Sequence, residues 1–246
     1  MIHPAPSVTV PKPPSTEVIG SLLGLLAHDL RNPLSALQSN CAFIRAAGSR
    51  LQRDEVEALD DALASCDSLL YIIDSVDLLA RALRSNEPRA RETVRLAAVV
   101  DDVVARHRVL AASYGVGIDV DASAQEVELR AVVNRDLFNR ALGYLLRNGL
   151  QCSRAGSSVR VLARREDRRL VVIVGDQGPE LNQELVEQAF TAEGQLSAKG
   201  SADGRYSRGL GLYCARVAAE LSGAEVGLIE PPAGLRMALA LSAPSP

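Results

Sequence analysis

A histidine and an aspartate stand side by side in the stretch LLAHDLRNPLSAL, residues 25–37, where an apolar run leads into His28 and Asp29. A carboxylate beside an imidazole can accept one ring N–H, fix the tautomer and leave the other ring nitrogen as a nucleophile. Pro33 follows and bends the helix, because proline removes an intrahelical hydrogen bond. A lone histidine on a helix is more often simply packed or exposed, so His28 alone is only a candidate nucleophile.

Three further stretches contain residue types that handle nucleotides and phosphates. In LLRNGLQCS, the side-chain carbonyl of Asn148 can ligate Mg²⁺. The apolar strand VVIVGDQGPE ends in Asp176, which can accept a hydrogen bond from an exocyclic amine, and Gly178 lets a ligand approach the backbone. The stretch SRGLGL opens a helix with Gly209 and Gly211, where backbone N–H groups can face phosphate. Each signal also has a simpler explanation: a polar helix face, a tight turn or an ordinary helix entrance.

Hydrophobic periodicity predicts the elements that must position these residues. Apolar residues recur at three- and four-residue steps over residues 17–47 and again over 52–85, which predicts a hairpin of two long amphipathic helices. Two helices leave their apolar faces uncovered, so we predict that two hairpins pair as a four-helix bundle in a homodimer. From residue 92 onward short strands are mixed with helices, which predicts an α+β sandwich with one sheet covered by helices on one face.

The composition argues against several functional classes. A net charge of −3, an aromatic content of 3% and the absence of tryptophan give no case for a nucleic-acid partner. The four cysteines are far apart and form no CxxC pair, as in a reduced cytoplasmic protein. No apolar run is long enough for a membrane-spanning helix, and the proline-rich residues 1–16 are typical of a flexible tail rather than a signal peptide. We therefore predict a cytoplasmic protein with no membrane span.

The order of these stretches resembles that of the sensor histidine kinases of two-component systems. The resemblance rests on HDLRNPL in the first long helix, the Asn-bearing helix, the strand-end DQG and the GLGL helix, and it extends over nearly the whole chain. It implies an α+β fold in which an N-terminal antiparallel helical hairpin, residues 17–86, forms a dimeric four-helix bundle. An α/β-sandwich ATP-binding domain of the Bergerat type would follow over residues 92–244.

The resemblance also implies roles for the residues of the first helix. His28 would be the phosphoacceptor that attacks the γ-phosphate of ATP, and Asp29 would be its acid/base partner. Asn32 matches a position associated with dephosphorylation of the partner regulator. The chain would then be a soluble histidine kinase that phosphorylates itself from Mg-ATP and passes the phosphoryl group to an aspartate on a response-regulator receiver domain. Its input would come from a separate sensor protein.

In the second part of the chain the resemblance implies a nucleotide site. Asn148 would hold Mg²⁺, Asp176 would bind the adenine amino group, and Gly178 would let the base approach. Residues 191–208 would form a lid over ATP. Gly209 and Gly211 would lie at the hinge of that lid, near the phosphates.

Several residues depart from the family pattern and leave other functions open, among them Gly149, which replaces the usual alanine after Asn148. Glu180 replaces the second glycine of the Asp-x-Gly-x-Gly box, where a carboxylate would repel triphosphate, and Tyr144 replaces an Asn or an acid four residues before Asn148. One alternative is a histidine phosphotransfer protein or pseudokinase that uses a degenerate nucleotide site as a docking surface. Another is an anti-sigma or other regulatory binding protein built on the same ATPase fold, although such proteins usually lack the hairpin.

Overall fold

The computed structural model of the protein describes residues 16–47, 51–84, 90–125, 129–166, 168–179, 188–194 and 210–246. The chain divides into two compact units, one up to residue 86 and one from residue 87 onward. Gly209, Glu180 and most of the predicted lid lie outside the described residues, as does the predicted tail up to residue 15.

The N-terminal unit contains two long helices, α1 (Thr16–Ala47) and α2 (Arg53–Leu83). Both agree within two residues with the helices that the hydrophobic periodicity predicts. Each helix has at least one acidic residue in its first turn and an arginine in its last, which complements the helix dipole. Pro33 lies inside α1, as predicted. None of the described helices of the chain is long and apolar enough to cross a membrane.

The buried interior between α1 and α2 is formed largely by small and sulfur-containing side chains. Ala27 and Cys66 are only 2% and 3% exposed, and Cys41, Ile73 and Leu78 are also buried. Large apolar residues of both helices remain on the surface. The hairpin therefore buries only part of its apolar surface by itself.

The C-terminal unit contains a five-stranded sheet with the strand order β2-β4-β5-β7-β6. Strand β2 is parallel to β4, and the other neighbours are antiparallel. Strands β1 and β3 form a separate antiparallel pair, so the prediction of one sheet was incomplete. The strands are β1 (Glu92–Arg95), β2 (Gly117–Val120), β3 (Arg130–Val133), β4 (Ser158–Glu166), β5 (Arg169–Asp176), β6 (Glu225–Leu228) and β7 (Met237–Pro244).

Three α-helices of twelve or more residues belong to the described part of this unit: α3 (Leu96–Ser113), α4 (Arg135–Cys152) and α5 (Gly211–Ser222). A short 3-10 helix covers Ala122–Gln125. Helix α4 is the central one, since it packs against α3, α5 and β5 and is buried throughout residues 141–150. Together with the helical hairpin, this α/β unit confirms the predicted fold class.

A hydrogen bond connects the start of α4 to the end of α5. The Oδ1 atom of Asn134 accepts a hydrogen bond from the Leu137 N–H at 3.2 Å and so caps the start of α4. The Asn134 N–H donates to the Ser222 carbonyl, at the end of α5, at 3.0 Å. Helix α5 then stops at Gly223, which has a φ of 92° and therefore favours glycine. These contacts fix the end of α5 beside the start of α4.

Candidate functional site

His28 lies on the exposed surface of α1. Its side chain is 69% exposed, and that of the neighbouring Asp29 is 77% exposed. The Nδ1 atom of His28 lies 3.3 Å from Oδ1 of Asp29, within reach of a hydrogen bond from an Nδ1–H group. In that tautomer Nε2 carries the lone pair and is the nucleophilic nitrogen. The contact that the sequence predicts between these two side chains is therefore present.

Three polar pairs join α1 to α2 and form what we call the polar ladder. The first rung connects Arg31 Nη2 to Asp74 Oδ1 at 2.8 Å. The next two rungs step seven residues along α1 and seven back along α2, and they are Gln38–Asp67 and Arg45–Asp60. Hydrophobic periodicity does not reveal this ladder, although the seven-residue spacing of its polar residues in both helices is a usable signal.

A set of large apolar side chains on the same hairpin is exposed. On α1, Leu30 and Leu37 are 56% and 52% exposed, and Phe43 is 73% exposed. On α2, Leu69 and Ile72 are 50% and 56% exposed. Isolated exposed apolar residues are ordinary, but a series along two packed helices marks an interaction surface. Asn32, which follows Arg31, is exposed among them.

In the C-terminal unit, Asp176 lies at the end of β5 and is 1% exposed. Its Oδ1 atom accepts a hydrogen bond from the Gly178 N–H at 2.7 Å, which closes a tight turn after the strand. Its main-chain carbonyl accepts from the Arg236 N–H at 2.9 Å. The carboxylate is thus fixed in orientation, as the tight-turn explanation of DQG expects, and its binding of an exocyclic amine stays a prediction.

Helix α4 approaches the Asp176 carboxylate closely at Gly149. A Cβ atom at Gly149 would lie 3.6 Å from Asp176 Oδ2 and 3.3 Å from both Cγ atoms of Val159. The absence of a side chain at this position therefore lets the helix lie against the end of the strand. Asn148 is the residue before Gly149 and is 8% exposed. Asn148 and Asp176, which are far apart in the sequence, are therefore both near the end of β5.

Two of the remaining predicted residues are also described. Gly178 is buried in the turn after Asp176, and Gly211 is the first residue of α5, the helix that packs against α4. Gly209 lies outside the described residues, so its predicted place near the phosphates remains a prediction.

Asn148 can supply one ligand to a magnesium ion whose remaining ligands come from water and from the nucleotide. Tyr144, one turn earlier on α4, is 5% exposed and supplies no carboxylate. The described residues include no cluster of three or more His, Cys, Asp or Glu that could hold a metal. An amide oxygen from Asn148 with water and nucleotide phosphates is nevertheless a donor set that Mg²⁺ accepts. The residues present therefore fit a metal that arrives with its nucleotide.

Comparison with known protein families agrees with both units. The model of the His Kinase A (phospho-acceptor) domain matches residues 19–84. The model of the histidine kinase-, DNA gyrase B-, and HSP90-like ATPase matches residues 133–244. The second unit is thus defined as an ATP-binding domain of that ATPase class. With the phospho-acceptor domain before it, the chain belongs to the sensor histidine kinases of two-component systems.

Individual relatives and solved structures support the same family and fold. The chain is 29% identical over 237 residues to "Sensor protein KdpD" of Mycobacterium tuberculosis, covering 93% of this chain and 26% of that protein. It is 28% identical to "Sensor protein CzcS" of Cupriavidus metallidurans, covering 83% of this chain and 41% of that protein. The chain therefore spans about a quarter and about two fifths, respectively, of these curated relatives.

Among solved structures, full-length ShkA in complex with AMPPNP superposes with a TM-score of 0.62 at 20% identity, covering 92% of this chain and 46% of that one. The histidine kinase AdeS of Acinetobacter baumannii superposes with a TM-score of 0.52 at 14% identity, covering 88% of this chain and 97% of that one. At these identities the superpositions show a common fold.

Proposed function

We propose that this chain phosphorylates its own His28 from Mg-ATP and transfers the phosphoryl group to an aspartate on a response-regulator receiver domain. The observation that carries the proposal is the imidazole of His28, which is 69% exposed with Nδ1 3.3 Å from the Asp29 carboxylate. A nucleophile of this kind is useful only where a phosphoryl donor can reach it, and the same chain carries an ATP-binding domain of the histidine kinase class.

The first chemical step is a displacement at the γ-phosphorus of ATP. The lone pair on Nε2 of His28 attacks this phosphorus, the bond to the β,γ-bridging oxygen breaks, and ADP leaves with that electron pair. The imidazole then carries a positive charge, which the Asp29 carboxylate stabilises through the Nδ1–H group. When bound at Asn148, Mg²⁺ would neutralise charge on the phosphates. Most of the rate enhancement in such reactions comes from positioning and electrostatics.

The C-terminal unit would bind the nucleotide through the residues gathered at the end of β5. The fixed Asp176 carboxylate would accept a hydrogen bond from the adenine amino group, and Gly178 would leave room for the base. Gly211 would contribute the N-terminus of α5 to phosphate binding, together with the adjoining Gly209 of the sequence motif.

The second chemical step passes the phosphoryl group to the regulator. A receiver-domain carboxylate attacks the phosphorus, the N–P bond breaks, and Nε2 of His28 regains its lone pair. Asn32 is exposed close to His28 in the sequence. Its amide is suited to orient water for removal of the phosphoryl group from the regulator, and we propose that role for it.

The proposed assembly is a homodimer in which two hairpins pair as a four-helix bundle. The exposed Leu30, Leu37 and Phe43 of α1 and Leu69 and Ile72 of α2 support it, because an apolar series of this size needs a cover. The input signal would arrive through a separate sensor protein. Dimerisation and partnership with a response regulator are general features of the phospho-acceptor domain, whose model matches residues 19–84.

The proposal is tested by labelling the full chain with γ-³²P-ATP and Mg²⁺. We expect label in the wild type and in a His3→Ala control, and none in His28→Ala. Acid-labile, alkali-stable label would identify a phosphohistidine. Label that persists in His28→Ala would contradict the assignment of the phosphoacceptor, and the absence of label in all three variants would contradict the autokinase activity.

A second candidate function follows from the environment of Asn148. Tyr144 is buried where the family usually has an amide or an acid, and Glu180 replaces a glycine of the nucleotide motif. These residues favour a phosphotransfer protein or pseudokinase that receives its phosphoryl group from another protein at His28. Calorimetric titration with AMPPNP and Mg²⁺ separates the two candidates, since binding with a micromolar constant would favour the kinase. No binding, with His28 labelled only by a phosphorylated partner, would favour the alternative.

A further inference from the structure

The first rung of the polar ladder lies next to the phosphoacceptor. Arg31 follows His28 by three residues on α1, and side chains at this spacing are neighbours on a helix surface, with Cβ atoms about 5–6 Å apart. The Arg31 guanidinium is not directed to His28 in this structure, since Nη2 bonds to Asp74 Oδ1 at 2.8 Å. The Arg31 side chain is 33% exposed and that of Asp74 is 51% exposed. The Asp74 carboxylate is therefore in contact with water, and Arg31 is a neighbour of His28 on the surface of α1.

Two arginines lie within one helical turn of His28 along α1. Arg31 is on α1 itself, and Arg84 lies beside Gly24, since a Cβ atom at Gly24 would lie 3.4 Å from its Nη2. Arg31 is the one already bonded to an exposed carboxylate, and Arg45, the other arginine of α1, belongs to the last rung of the ladder. On α2, Asp77 lies three residues beyond Asp74, and Arg81 Nε bonds to its Oδ2 at 3.0 Å. The Asp77 side chain is only 12% exposed, so that pair is more enclosed than the Arg31–Asp74 pair.

We propose that Arg31 exchanges partners when His28 is phosphorylated: its guanidinium leaves the Asp74 carboxylate and binds the phosphoryl group on Nε2. The inference rests on the proposed function for the existence of phosphorylated His28. A phosphoryl group carries a charge of about −1.5 to −2 and three strong acceptor oxygens, whereas Asp74 offers a single charge. An exposed ion pair contributes little net stability, and the Asp74 carboxylate stays in water after the exchange. The exchange therefore favours the phosphoryl group.

The consequence of the exchange is local. It opens the rung that connects α1 to α2 beside His28, while the rungs Gln38–Asp67 and Arg45–Asp60 are one and two heptads away and stay closed. A partner that docks at His28 would meet an Asp74 carboxylate no longer bonded to Arg31, and two helices no longer joined by this pair near the middle of α1. Phosphorylation would thus change the side-chain pairing on the surface that a protein partner contacts. The partner would then bind the phosphorylated and the unphosphorylated hairpin with different affinities.

The test uses the full chain phosphorylated chemically with potassium phosphoramidate, so that it does not depend on autokinase activity. The ³¹P NMR signal of His28 is identified by its loss in His28→Ala, and its chemical shift is followed through a pH titration. A nearby cation favours the dianion and lowers the pKa of the phosphoryl group. We expect Arg31→Gln to raise that pKa by about one unit, because an opposite charge within a few ångströms shifts a pKa by about that much.

The matched control is Arg45→Gln, which removes the same charge from the same helix two rungs away. It should leave the pKa of the phosphoryl group unchanged, and Arg31→Lys should restore most of the wild-type value because it keeps the cation. Equal pKa values in Arg31→Gln and Arg45→Gln, with unchanged helical circular dichroism, would overturn the exchange. That result would leave the ATP labelling of His28 intact, so failure of this inference is distinguishable from failure of the proposed function.

Discussion

The two units of the chain hold their chemical groups in opposite ways. The hairpin carries His28 and Asp29 on an open helix surface, with side chains 69% and 77% exposed. The C-terminal unit buries Asp176 and Asn148, which are 1% and 8% exposed. A group that must be reached by two different protein surfaces benefits from exposure. A carboxylate that selects one hydrogen-bond donor benefits from burial, because an unpaired partner is then costly.

The two units also differ in how completely they bury their own apolar side chains. The C-terminal unit has a large core of its own, in which α4 is buried along residues 141–150 against neighbouring helices and β5. The hairpin buries mostly small or sulfur-containing side chains between its helices, and it is joined at one edge by exposed polar pairs. Large apolar side chains of both hairpin helices stay on its surface. The C-terminal unit therefore has a core of its own, whereas the hairpin leaves part of its apolar surface available for an interface.

The largest expected effect concerns the buried carboxylate. Asp176→Asn keeps the shape of the side chain and an oxygen that can accept from the Gly178 N–H, but it removes the charge that would bind the adenine amino group. Hydrogen bonds to charged groups contribute about 1.5–3 kcal/mol, so calorimetric titration with AMPPNP should show an affinity about ten- to a hundredfold lower. The control is Asp119→Asn on the exposed strand β2, where Asp119 accepts from Ser158 Oγ at 2.6 Å. Equal affinities in the two variants would remove Asp176 from the nucleotide site.

The next effect concerns the incomplete packing of the hairpin. Leu37→Glu places a charge on the exposed apolar series of α1, where Leu37 is 52% exposed. Full burial of a leucine side chain contributes about 1.5–3 kcal/mol, so losing it should raise the dimer dissociation constant by at least about tenfold in analytical ultracentrifugation. Val109→Glu is the matched control, because Val109 on α3 is 76% exposed in the other unit. If both variants remain dimeric to the same extent, the exposed face of α1 is not the dimer interface.

The parts of the fold that the sequence predicts well are those specified by local patterns. The three- and four-residue steps of apolar residues locate both hairpin helices within two residues. Gly223 marks the end of α5, because glycine adopts a positive φ there without steric strain. These features depend on residues close together in the chain, so the sequence contains the information directly.

The parts that were missed depend on contacts between distant residues. The β1–β3 pair joins two four-residue strands, and nothing in either strand specifies its partner. Gly149 reads as a departure from the family pattern, yet it is the point where α4 meets the Asp176 carboxylate. The polar ladder depends on how α1 and α2 are aligned with each other. The pairing of Arg31 with Asp74 is therefore visible only in the packed helices. The site residues could be proposed from motifs, but their neighbours could not.

The smallest expected effect contrasts the exposed His28 with a histidine of the C-terminal unit. His107 on α3 packs against α4, since a Cβ atom at Gly143 would lie 3.2 Å from its Cε1, and its Nδ1 lies 2.8 Å from the Val103 carbonyl oxygen. Burial lowers the pKa of His107 below its usual range, because desolvation penalises the charged ring. The backbone carbonyls of Val103 and Gly143 oppose this shift, while the charges of Arg147 and Arg106 add to it.

A lowered histidine pKa means that the unfolded chain binds more protons than the folded chain once the pH falls below the usual histidine pKa of about 6.5. The free energy of unfolding should therefore decrease as the pH falls from 7 to 5, by less than about 1.4 kcal/mol per pH unit from this one group. Urea unfolding at pH 5, 6 and 7 measures the slope, which should be shallower in His107→Gln than in the wild type. An equal slope in the two proteins would mean that burial does not lower the pKa of His107, and the contrast between the exposed and the enclosed unit would fail at this position.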